Sequence, residues 1–410
     1  MTPGQGVVIA VVDSGVAVNH PDLKNQILRD GSGNVWGKSF VESEPSVEDE
    51  NGHGTHVAGI IAAENNDFGT TGVAYGAKIM PVKVMSKDGV GSSSNIIAGL
   101  KYAAVQGADI INLSLGGGVF SQAETDVLDL LADLGVIVVS AAGNSGAPNE
   151  KLANEAEYNQ TLYAPYYSVI GVMAEAVAPA ENGDRLAAYS NWDVTANNAM
   201  EYNLMAPGTN IFSTYLRDGY QIMNGTSMAA PVVSGMAACI TGYVNQAGID
   251  GLKQFDKADR YAYVYGQLAG ASSYQQGLTY QNKTYDYREA NLYEMLTVQP
   301  TPQMALLSAD ELLLQDMVNT LSVQLYHYHG SAKEIAVKAA TTVPGVSIQV
   351  QPYYNQITDA GTLTLDLKVS GTESLKSGTE IPITLTVTCQ NGKNSSDSKT
   401  YQLEESWTAY

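Results

Sequence analysis

Val7-Val8-Ile9-Ala10-Val11-Val12-Asp13-Ser14-Gly15 is the stretch on which the fold turns. Its apolar, mostly β-branched run has no polar face, so it reads as a strand buried on both sides that stops at a carboxylate and turn formers. Similar runs recur at Lys78 to Val84, Asp109 to Leu113, Val136 to Ser140 and Val169 to Met173. Helical periods lie between them, at Ile96 to Val105 and Thr125 to Leu134. Buried strands alternating with helices predict an α/β domain, a mostly parallel sheet with helices on both faces. Functional residues in such sheets collect at the carboxyl ends of strands, where Asp13 and Asn144 stand.

Past residue 300 the pattern changes. Pro300-Thr301-Pro302 makes a joint, and beyond it Val346, Ile348 and Val350, then Leu363 to Val369, then Ile381 to Cys389 alternate apolar with polar residues. Two-residue alternation predicts antiparallel strands with one wet face, hence an all-β, sandwich-like module over 301–410 beside a larger domain over 1–300. His327 and His329 share one strand face of that module. A metal pair is one reading, and wet-face or packing residues the better one.

With 42 acidic against 21 basic residues the formal charge is −21, and no Lys/Arg cluster offers a phosphate-binding patch, so a nucleic-acid partner is excluded. Such acidity favours solubility and bound cations. No apolar run approaches the roughly 18 residues of a membrane span, so no transmembrane segment is expected. Cys239 and Cys389 stand in different predicted domains and are not expected to pair. The first residues, Met-Thr-Pro-Gly-Gln-Gly, lack the basic start and apolar stretch of a secretory signal.

Three clusters place a reactive side chain among small residues. Asp13 ends its strand and could equally be a turn or cap residue. Asn51-Gly52-His53-Gly54-Thr55-His56-Val57-Ala58-Gly59 opens a small-residue helix; a His53–His56 metal pair is a rival, but no Glu lies between them as in the zinc-protease pattern. Asn224-Gly225-Thr226-Ser227-Met228-Ala229-Ala230-Pro231 presents Ser227 at a helix start, where an N-cap serine is the alternative. Taken together they supply what a serine nucleophile requires: a base within reach, and an acceptor that orients the base. Their order is Asp, His, Ser.

On these motifs the segment from about Gly6 to Thr297 resembles a subtilisin-family (subtilase) catalytic domain. The resemblance implies a serine endopeptidase working through an acyl-enzyme, with Asp13, His53 and Ser227 as triad. Asn144, in Ser140-Ala141-Ala142-Gly143-Asn144-Ser145-Gly146, would be the oxyanion donor. It further implies that Gly89, Val90 and Gly91 pair with one edge of an extended peptide, and Ser114, Leu115 and Gly116 with the other. Ala141, Ala142 and Gly143 would line a first pocket roomy enough for large apolar side chains. A structural Ca2+ is implied at Asp22 and Asn66, with carbonyls of Glu64, Phe68 and Thr70. Departures from the family pattern are the short lead before Asp13, an insertion between Gly146 and Ser168, and Val232 where relatives carry His.

Protein or peptide substrates are therefore expected. Alternatives are a maturation protease dedicated to one precursor, and a non-catalytic peptide-binding module. An extracellular or cell-surface bacterial location is expected, with an intracellular relative as the rival. The C-terminal module is expected to contact a surface or the substrate.

Overall fold

A computed structural model describes residues 2–116, 121–148, 163–164, 168–178, 185–192, 204–247, pieces between 264 and 297, 304–309, 319–327, 332–353, 355, 361–372, 375–376, 379–391 and 398–408. Contacts divide the chain into two compact units, Met1–Ala196 with Met200–Val298, and Asn197–Ala199 with Gln299–Tyr410.

The first unit is built on β1 (Val8–Asp13), buried from Ile9 to Asp13. Its neighbours are β2 (Lys38–Ser39), β3 (Lys78–Lys83), β4 (Ile110–Leu113), β5 (Ile137–Ala141), β6 (Val169–Glu175) and β7 (Leu204–Pro207). Next come a hairpin of β8 (Ile211–Thr214) and β9 (Tyr220–Met223), then β10 (Ser273–Gln275), a small hairpin β11 (Thr279–Tyr280) and β12 (Lys283–Thr284), and β13 (Tyr287–Glu289). Nine of these form one sheet in the order β10-β13-β7-β6-β5-β4-β1-β3-β2. Every pairing is parallel except β10 with β13. The α/β reading thus holds, and the five apolar runs are five of its strands. Strands β2, β10 and β13, of two or three residues, are too short to carry a periodic signal.

Helices α1 (His53–Ala62), α2 (Ser93–Val105), α3 (Gln122–Asp133), α4 (Thr226–Ala247) and α5 (Leu292–Thr297) complete the unit. In α2 the buried residues Ile96, Leu100 and Ala103 recur at helical spacing. With Leu128 and Leu131 of α3 they pack on Ala10, Val12, Met80 and Val82. Strand side chains alternate between faces, so Val11 and Asp13 point to the opposite side, which α1 and α4 cover.

One helix among the described residues approaches a membrane span in length and hydropathy. Within α4, Thr226–Asn245 contains an 18-residue stretch of mean hydropathy 1.4, long and apolar enough to cross a membrane. The same window is 72% buried, however, because α4 is the central helix under the sheet. Its small residues permit that fit. A Cβ on Gly235 would lie 2.6 Å from the Cβ of Val73.

The second unit is a pair of antiparallel sheets. β14 (Met304–Ala309), β15 (Asn319–His327), β18 (Gly361–Ser370) and β17 (Ser347–Val350) form one; β16 (Ala332–Thr341), β19 (Glu380–Asn391) and β20 (Ser398–Thr408) form the other. Ile335 from one sheet, Leu365, Leu367 and Val369 from the other, and Ile381, Ile383, Leu385 and Val387 make its core. His329 and the side chains of His327 and Cys389 lie outside the described residues. Cys239 is a buried free thiol whose Sγ donates to the Val73 carbonyl, 3.5 Å away.

A buried histidine fastens the β8–β9 hairpin to α1. His56 Nε2 lies 3.1 Å from the Ile211 carbonyl and 3.0 Å from that of Gln221, while its Nδ1 is buried without a partner. Burial pushes its pKa below the ordinary 6.5, outweighing the two carbonyls. The folded protein therefore refuses a proton that the unfolded chain accepts. This contribution is complete above pH 6.5 and is lost as pH falls from there through the depressed folded value. The melting temperature should drop over that window, and His56→Gln, which keeps one N–H donor at a cost of about 1 kcal/mol, should flatten the drop. An unchanged pH slope in the variant would refute this assignment.

Candidate active site

His53 is the first residue of α1, and the helix start is organised by Asp49, which the sequence motifs did not single out. Gly52, with φ 101°, carries no capping side chain. The Asp49 carboxylate takes that place. Its Oδ1 accepts from the Asn51 and Gly52 amides (2.9 Å each) and from the Ser14 hydroxyl (3.0 Å). Oδ2 accepts from the Thr55 amide (2.9 Å) and hydroxyl (2.6 Å). A carboxylate here satisfies the orphan donors of the first turn and complements the helix dipole. Ser14 in turn accepts from the Gly54 amide at 3.0 Å.

These bonds draw α1 against the end of β1. A Cβ on Gly54 would sit 2.1 Å from the Gly15 carbonyl oxygen, so only glycine permits the approach. His53 Nδ1 then lies 2.8 Å from Asp13 Oδ1 and 3.0 Å from Oδ2. Asp13 is wholly buried, and its Oδ1 also accepts from the Ser14 amide at 2.7 Å. Burial pushes the His53 pKa down, but the charge and hydrogen bond of Asp13, helped by Asp49, hold it above 6.5. With Nδ1–H given to Asp13, the second ring nitrogen keeps its lone pair for another proton.

Ser227 is the second residue of α4, and Pro231 lies four residues on inside the same helix. Proline has no N–H, so the Ser227 carbonyl lacks its helical donor. The Ser114 hydroxyl fills that role at 2.9 Å. Behind it a buried chain runs from the Asn112 amide to Ser114 (2.9 Å) and from the Ser234 hydroxyl to Asn112 (2.9 Å). The Ser227 hydroxyl donates to the Ser114 carbonyl at 3.2 Å and makes no hydrogen bond with His53. Such bonds commonly tighten only with substrate in place.

Asn144 follows β5. Its Oδ1 accepts from the Thr226 amide (2.8 Å) and hydroxyl (3.0 Å), and the same hydroxyl accepts from the Gly143 amide (3.0 Å). Two donors fix which end of the amide is oxygen, so the NH2 end is left to the cleft. The cleft, of about 380 Å³, is bordered by His53, Ser227 and Asn144 together with Gly89, Ser114, Leu115, Gly116, Ala141 and Gly143. Val90, Gly91 and Ala142 do not border it. Val90 is largely exposed, Gly91 forms an isolated bridge with Met85, and Ala142 packs behind the wall against Met173 and Met205. Asn51 and Met85, to which the sequence reading gave no place in the cleft, do border it. Most of the Gly146–Ser168 insertion lies outside the described residues.

Away from the cleft, the Glu64 amide donates to the Asp22 carbonyl at 2.8 Å, and Asp22 Oδ2 accepts from Thr70 and Tyr220. Asp22 Oδ1 and Asn66 Oδ1 are buried without any partner. Buried oxygens left unpaired are what a hard cation ligates, so this donor set fits Ca2+. No group of three or more His, Cys, Asp or Glu side chains gathers among the described residues, so carbonyl oxygens would complete such a site.

Comparison with known proteins bears on the family of the chain. A profile of the subtilase family matches residues 4–255. Subtilisin DY of Bacillus licheniformis and subtilisin Savinase of Lederbergia lenta are each 39% identical over 237 residues, 58% of this chain and 77% of theirs. Thermitase of Thermoactinomyces vulgaris is 38% identical over 240 residues, 58% of this chain and 75% of its own. With a family match over more than half its length, on a parallel α/β sheet whose strand ends gather Asp13, His53, Asn144 and Ser227, this chain belongs to the subtilase family of serine endopeptidases.

Proposed function

We propose that Ser227 attacks the scissile carbonyl, His53 takes its proton and Asp13 holds the imidazole. The Asn144 amide and the Ser227 N–H would receive the oxyanion. The observation that carries this reading is the 2.8 Å contact of His53 with a wholly buried Asp13, at the cleft that also holds Ser227 and the free end of Asn144. The bond from Ser227 Oγ to carbon forms as its proton passes to His53. That proton then leaves on the departing amine, and water releases the acyl group by the same route.

An extended peptide would lie between Gly89–Gly91 and Ser114–Gly116, its backbone pairing with both edges. The exposure of Val90 and the cleft position of Ser114 support this. The small residues Ala141 and Gly143 favour a large apolar side chain before the cut. Asp22 and Asn66, with carbonyls of Glu64, Phe68 and Thr70, would hold Ca2+, whose charge would neutralise buried oxygens and brace the loop. Acidity and a cation-braced loop suit an extracellular or cell-surface enzyme, and the C-terminal sandwich would contact a surface or the substrate.

A fluorophosphonate probe should label Ser227, and Ser227→Ala should abolish labelling and reduce kcat on the order of 10⁶-fold, the magnitude known for subtilisin itself. An unlabelled wild type would defeat the proposal. Because neutral His53 is the base and its pKa is raised, labelling should climb with pH to a half-maximum above 6.5, and Asp13→Asn should move that point down. For the cation, calcium at a hundredfold excess over its Kd should add about 2.7 kcal/mol of stability. Chelation should lower the melting temperature accordingly, and Asp22→Ala should remove the difference between calcium and chelator. A difference that survives in Asp22→Ala would place the cation elsewhere.

A further inference from the structure

The turn that carries Asn144 has an unusual backbone. Gly143 and Gly146 both adopt positive φ, 96° and 60°, so the chain doubles back sharply after β5. Thr226 holds the end of the Asn144 side chain and one main-chain amide before it, that of Gly143. Asn191 holds the main chain on both sides. Its Nδ2 donates to the Ala142 carbonyl (2.8 Å), and its Oδ1 accepts from the amides of Ser145 (2.9 Å) and Ala147 (3.4 Å). Its own backbone amide donates to the Gly143 carbonyl at 2.9 Å. One residue thus grips the turn on both sides of Asn144.

Asn191 is itself rigid. It is wholly buried, and the Ser190 hydroxyl donates to its carbonyl (2.9 Å) while accepting from the Ala174 amide of β6 (3.0 Å). The turn is therefore referenced to the sheet through β6, a strand that contributes nothing to the triad. An amide donates and accepts from two separate atoms, an NH2 and a carbonyl oxygen, so one side chain reaches backbone groups on both arms of the turn.

We propose that Asn191 is a positioning residue for the reaction: it fixes the turn so that the Asn144 amide stands where the oxyanion develops. The inference rests on the oxyanion role given to Asn144 above. Displacing a preorganised donor by a fraction of an ångström weakens the transition state and leaves ground-state binding alone.

A double-mutant cycle tests this with a soluble peptide substrate. Asn144→Ala alone comes first: an unchanged kcat would sink the oxyanion reading itself. Given a loss there, Asn191→Ala in the wild-type background should lower kcat about tenfold with KM moved less than about twofold. In the Asn144→Ala background the same substitution should cost less than about twofold, because the group it positions is gone. Equal losses in both backgrounds, or no loss in the wild type, would overturn the proposal. Should Asn191→Ala fail to fold, Asn191→Asp keeps an acceptor for Ser145 and Ala147 and loses the donor to Ala142. It enters the same cycle under the same criterion.

Discussion

A carboxylate with no exposed surface has to be satisfied by its own protein, and much of the first unit is arranged around that requirement at Asp13. Burying an ion without partners costs several kcal/mol, so each neighbour of Asp13 has an electrostatic or hydrogen-bonding task. The Ser14 amide and the His53 imidazole bond it directly. Lys83, itself buried, donates to the Ser14 carbonyl and pairs with Glu44 at 3.0 Å, bracing the strand end that holds Asp13. Helix α1 must approach closely enough for His53 to reach, and that demands a glycine at Gly54.

The same logic governs the second helix. Pro231 frees the Ser227 carbonyl, and the protein answers with a serine at the end of β4 backed by Asn112 and Ser234. The nucleophile is thereby tied to the sheet through its backbone while its hydroxyl stays in the cleft. Helices α1 and α4 lie on one face of the sheet, so their first turns converge at the carboxyl ends of β1, β4 and β5. A strand run and two helix starts far apart in the chain meet there because parallel strands all end at one edge.

The C-terminal unit was readable for a different reason. Burial alternates residue by residue along β19 from Ile381 to Val387, and this period of two is a property of the strand alone. Such a pattern reports a sandwich core but says nothing of a site, because its apolar residues face inward and meet only one another.

The sequence by itself determined the parallel strands, the helices over them and the sandwich, and it marked Asp13, His53, Asn144 and Ser227 as candidates. Each sits in a local pattern that one turn or one strand suffices to produce. Tertiary structure alone decided the roles of Asp49, Thr226, Asn112, Ser234 and Asn191, and the turning of the Ser227 hydroxyl toward Ser114. Ser234 and Asn112 are 122 residues apart, and Asn191 and Ala142 are 49 apart. No local pattern marks a buried polar residue whose partner lies that far along the chain. Such partners are chosen by the need to satisfy every buried donor and acceptor once the backbone has folded.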